Sequence, residues 1–152
     1  MSTPTLTSTA TTLTALPRGL RERAQELCWA DFLAAYGPTS GPLELIGWEG
    51  AHPSRRSGPQ VRWFCATVRY GDTMGLWSAT ATAPIAALTD MLYQHQLGVE
   101  MLNFHQVQMG RDTVTFIRGT DGTTDAWAMA WAEDGTQSAL RAVIACANRL
   151  AQ

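Results

Sequence analysis

The sequence predicts an α+β fold. It consists of two pseudo-symmetric βββα units, with helices on one face of mainly antiparallel strands, preceded by an N-terminal helix. Three observations predict it. Two stretches, 43–82 and 99–131, each contain three short runs rich in β-branched and aromatic residues. Each set of runs is followed by apolar residues at helical spacing, from Pro84 and from Ser138. A turn signal separates the second and third run of each set, Gly71-Asp72 and then Asp121-Gly122. The same order used twice, over about 110 residues, reads as an internal duplication.

The elements follow in order. Residues 1–15 hold seven threonines in the first 14 positions and almost no large apolar group, which predicts a disordered leader. That leader has no basic or apolar signal-like stretch. Residues 16–40 read as a helical, linker-like appendage: Pro17 opens a helix over 18–36, with Leu20, Ala24, Leu27, Cys28 and Phe32 at helical spacing, and Gly37-Pro38 breaks it. Residues 41–152 form the duplicated domain. Its expected strands are Leu43–Trp48, Val61–Tyr70 and Leu76–Thr82, then Val99–Met109, Thr113–Arg118 and Thr124–Trp131. The first helix spans 84–97, with Gly98 as its C-terminal cap, and Ser138 caps the second.

Strands 61–70 and 126–131 carry large apolar residues on both faces. Helices on one side cover only one of them, so the second face needs a partner: closure within the chain, or dimerisation through the sheets. We expect a homodimer.

Composition narrows the functional classes. With 45% hydrophobic and 16% charged residues, the chain can bury a core, and no apolar run is long enough to span a membrane. A net charge of -2 argues against nucleic acid as a partner. All 11 basic residues are arginine, which excludes a Schiff-base lysine. Cys28, Cys65 and Cys146 form no Cys-x-x-Cys pair, a pattern that suits a reducing cytoplasm. His52, His95 and His105 are widely spaced, so no metal site is expected, and the absence of phosphate-cradling loops predicts no cofactor.

Several segments in the right order resemble the C-terminal regulatory domain of α-isopropylmalate synthase, the leucine-sensing module of that enzyme family. Ala83-Pro84-Ile85-Ala86-Ala87-Leu88 is similar to the family's helix start, and Val99-Glu100-Met101-Leu102-Asn103-Phe104 to one of its strands. Ser138–Val143 with Ala147-Asn148-Arg149 is similar to its terminal helix, and 16–43 to the linker before the domain. The resemblance covers about 16–152 and implies a dimer of duplicated βββα domains that binds an effector near the dimer interface. The catalytic barrel is absent, so the chain is not a complete synthase. Where the family has glycine-rich turns before each helix, this chain has Ala79-Thr80-Ala81-Thr82-Ala83 and Ala128-Met129-Ala130, which implies a reshaped pocket at that place.

The expected ligand-binding residues are therefore Thr80, Thr82, Phe104, His105, Arg111 and Met129, around an amino-acid-like or small carboxylate ligand. By alternation His105 shares a face with Met101, Asn103 and Val107, Arg111 offers a fork for a carboxylate, and Asp112 is placed to orient the histidine. Two functions remain open. One is a regulatory binding module acting on a separate catalytic chain. The other is a recruited cyclase, lyase or isomerase in which His105, with Asp112, moves protons. His95 falls on the apolar face of its helix, His52 and Arg55-Arg56 in a solvated loop, and the tryptophans serve core, interface or pocket.

Overall fold

A computed structural model describes residues 16–17, 19–20, 29–37, 41–50 and 60–151. The expectations for the leader, Cys28, His52, Arg55 and Arg56 lie outside the described residues. Helix α1 (Trp29–Tyr36) is followed by β1 (Leu43–Gly50), β2 (Arg62–Tyr70), β3 (Thr73–Ala81) and α2 (Pro84–Gln94). The order then repeats as β4 (Glu100–Met109), β5 (Asp112–Thr120), β6 (Asp125–Ala132) and α3 (Gly135–Leu150). The fold is the α+β architecture expected, with two antiparallel three-stranded sheets in the orders β1-β2-β3 and β4-β5-β6.

The duplication extends to the strand register. Each first strand carries one extra residue, Ile46 in β1 and Leu102 in β4, where the pairing with the central strand shifts. The second turn of each unit places a glycine at positive φ, Gly71 at 62° and Gly122 at 95°, a conformation that glycine takes without strain. The bulge corrects one expectation. Because a bulge reverses the in–out alternation, Met101 faces the core with its partner Gly119, while Asn103 and His105 face the other way with Arg118 and Phe116.

The helix-facing side chains of both sheets meet in a single core. Phe64, Ala66 and Val68 from β2 and Ile117 from β5 pack with Leu88, Met91 and Leu92 of α2 and with Leu140 and Val143 of α3. Two cap assignments are corrected. Helix α3 begins three residues before Ser138, with Asp134 as N-cap accepting from Gln137 N–H at 2.9 Å. Ser138 is buried and its hydroxyl hydrogen-bonds that of Thr115 at 2.7 Å, tying α3 to the sheet. Helix α2 ends at His95, and Gln96, not Gly98, takes the left-handed conformation at φ 62°, while Leu97 N–H donates to Leu92 C=O at 2.9 Å.

The outer faces of the two sheets differ. Over the second sheet, Leu16, Leu20, Phe32 and Tyr36 of the N-terminal segment bury Val114, Phe116, Met129 and Trp131. That segment is thus a structural cover rather than an appendage, and it supplies the partner that the second apolar face of strand 126–131 required. The first sheet leaves Val61 (70%), Trp63 (49%), Met74 (56%) and Leu76 (75%) exposed. The Asn148-Arg149 pair fastens the linker to the domain. Asn148 accepts from Leu43 N–H and donates to Leu43 C=O, both at 2.9 Å, and a Cβ on Gly41 would lie 2.5 Å from its amide carbon. Arg149 Nη2 donates to the α1-terminal carbonyls of Ala34 (3.2 Å) and Gly37 (2.6 Å).

Two stability outcomes are expected in urea denaturation. Asn148→Ala leaves a buried N–H and C=O of Leu43 without partners and lowers stability by about 3 kcal/mol. Gln96→Gly removes left-handed strain at a solvent-facing cap and raises stability by about 0.5–1 kcal/mol.

Candidate functional site

The strand order brings the end of β3 and the solvent-facing side of α2 against the start of β4 and the β5–β6 turn. The junction of the two units is an open groove of about 700 Å³. Thr80 and Thr82, two of the expected ligand-binding residues, line it together with Thr89, Asp90 and Tyr93 of α2 and Glu100 and Asp121 of the second unit. A contiguous hollow of about 620 Å³ shares Tyr93 and Asp121 and runs on toward Leu150 at the end of α3.

Its electrostatics are one-sided. Among the described residues, Asp90, Glu100 and Asp121 line the groove and no basic side chain does. The Asp121 carboxylate accepts from Thr124 N–H at 2.8 Å and Thr123 N–H at 2.9 Å, and these bonds hold its pKa below the ordinary value. The described carboxylates therefore give the groove wall negative charge at neutral pH. The three carboxylates were missed by sequence reasoning because they sit within α2, at the start of β4 and in the β5–β6 turn, with no spacing signal between them.

The other predicted residues do not join this groove. Met129 is fully buried beneath the N-terminal segment. Phe104 and His105 point to opposite faces of β4, Phe104 paired with Ile117 on the helix side and His105 with Phe116 on the other. The exposed His105 ring lies 6.3 Å from that of Phe116. Asp112 pairs with Met109, four residues along the strand, so at ~3.4 Å per residue it stands about 14 Å from the level of His105 and does not orient it. Arg111 lies at the β4–β5 turn, at the far end of the sheet from Asp121.

Some of the remaining polar residues have structural explanations. His95 stacks on Trp77 with ring centroids 3.8 Å apart and planes at 13°, so its role is packing, although the residue itself is exposed. Among the described residues no cluster of three or more His, Cys, Asp or Glu has the geometry to hold a metal, and no helix is long and apolar enough to cross a membrane. No model of a known protein family matches the chain, and no curated protein matches it either.

Cys146 is buried under Gly119, where a Cβ would approach its sulfur to 2.8 Å. Burial pushes its thiol pKa up to about 11. At pH 8 its thiolate fraction is then on the order of one in a thousand. Iodoacetamide at that pH is expected to leave Cys146 unmodified in the native protein and to label it after unfolding, as read by peptide mass spectrometry.

Proposed function

We propose that the chain is a homodimeric small-molecule-binding module of the α-isopropylmalate synthase regulatory-domain type, which binds an amino-acid-like ligand and acts on a separate catalytic chain. The bare face of the first sheet carries this reading. Its counterpart on the second sheet is buried by the chain's own N-terminal segment, whereas Trp63, Met74 and Leu76 remain exposed together. Large apolar side chains exposed along one sheet face in this way mark an interaction surface.

A second copy is the occupant that the charges favour. On the β2 and β3 part of the face Trp63, Cys65, Thr67, Leu76 and Ser78 are uncharged, Arg69 is paired with Glu44, and Glu49 stands opposite Cys65 on the edge strand β1. Two such faces meet about a two-fold axis through β2 and β3, with Glu49 left at the rim on the edge strand β1. The ligand site is the groove between the units, where Asp90, Glu100 and Asp121 receive the ammonium group. The three carboxylates among its described lining residues favour an amino-acid-like ligand over a plain carboxylate. The separation of His105 from Asp112 along β4 gives the enzyme alternative no support.

The test is solution mass by light scattering across a concentration series. The wild type is expected at twice 16.5 kDa, and Leu76→Glu at the monomer mass with an unchanged far-UV circular dichroism spectrum. Introducing a charge at the centre of such an interface should weaken the dimer at least 100-fold, about 3 kcal/mol. A wild type that remains monomeric at every concentration would overturn the dimer. In a thermal-shift series with free amino acids, the stabilising ligand should lose its effect in Asp90→Asn/Asp121→Asn.

A further inference from the structure

The most unusual charge in the molecule lies away from the groove and from the bare face. Arg149 reaches from the last turn of α3 to the C-terminal carbonyls of α1, and its Nε is buried with no hydrogen-bond partner. The described residues contain two ion pairs, Arg69–Glu44 and Arg118–Asp125, and Arg149 belongs to neither. Desolvation lowers its pKa from the ordinary arginine value, in keeping with a cation taken partly out of water with no carboxylate paired to it among the described residues. Such a group is costly unless something anionic meets it.

That guanidinium lines a cavity of about 610 Å³ between the N-terminal segment and the outer face of the second sheet. The register builds the cavity floor. Asn103, Arg118 and Trp127 stand directly opposite one another across β4, β5 and β6, and Tyr36 and Gly19 close it from above. The glycine is needed there, since a Cβ at Gly19 would meet the Trp127 ring at 3.0 Å. Among the described lining residues the one carboxylate, Asp125, is bound to Arg118 Nε at 2.7 Å, so these residues together carry one net positive charge.

The duplicated unit supplies an internal control. The corresponding row of the first sheet, also just past its bulge, reads Gly47, Thr67 and Leu76, with no charged residue and no amide side chain. The fold therefore does not require Asn, Arg and Trp at these positions, and their chemistry is peculiar to the covered face.

We propose that this cavity is a binding site for a small organic acid. Its carboxylate is received by Arg149 and Arg118, with the Asn103 amide beside them, and its apolar body lies on Trp127 under Tyr36. Guanidinium forks suit a carboxylate, and the indole face suits a flat or branched apolar group. The proposal stands independently of the groove and of the dimer, which involve other surfaces.

Isothermal titration of the full chain with phenylacetate, its neutral analogue phenylacetamide, and inorganic phosphate tests it. Phenylacetate should bind at least tenfold more tightly than the amide, and also more tightly than phosphate, which lacks an apolar body. Arg149→Ala also removes the α1 cap and is liable to misfold, so the deciding variants are Arg118→Gln and Asp125→Asn. The first should weaken phenylacetate at least fivefold. The second removes the competing carboxylate and should tighten it about threefold by easing the local repulsion. These opposite signs are not expected of residues with a purely structural role. Equal affinities for phenylacetate and phenylacetamide, or affinities unchanged in both variants, would overturn the site while leaving the solution mass and the amino-acid response as they were. Phosphate binding as tightly as phenylacetate would overturn the assignment to organic acids.

Discussion

Both sheets depend on one shared layer of two helices. Three strands with one apolar face do not make a stable unit by themselves; they need a second layer to cover that face. Here the cover is common property. Helix α2 lies on β2 and β3 and against α3, while α3 lies on β5 and β6 and reaches across to β1. Ile117 of one sheet and Phe64 of the other therefore belong to a single core. The two units cannot part without exposing both, and the groove between them is fixed by the same contacts.

Placing both helices on one side leaves two outer faces. The duplicated units resolve this differently. The second sheet is closed by the N-terminal segment, and Asn148 and Arg149 at the end of α3 hold the linker in place through the backbone of Leu43, Ala34 and Gly37. The first sheet keeps its apolar residues in solvent. At about 25 cal/mol per Å² of apolar area removed from water, covering such a face is a substantial driving force for association. The symmetry of the fold is thus broken by the cover rather than by the strands.

Divergence between the two copies also sorted the charges. The groove at the junction of the units is acidic and the cavity under the N-terminal segment is basic. In their described lining residues the two hollows thus oppose each other in sign. Neither hollow relies on the histidines, which are the residues a search for acid–base chemistry singles out first.

The repeated order of elements, the turns at Gly71 and Gly122, Pro84 at the start of α2 and the two-faced strands were legible in the sequence, because each rests on local periodicity or on one residue's backbone freedom. What the sequence could not decide was register and distant contact. The extra residue at Leu102 reverses the faces of β4, so His105 parts from Met101, and a bulge leaves no trace in alternation until the neighbouring strand is in place. The tie between Leu43 and Asn148 spans 105 residues, and the cover over Phe116 comes from residues beginning at Leu16. Local propensity thus fixed which elements exist, whereas which charges meet, and which apolar face stays bare, followed only from packing between segments far apart along the chain.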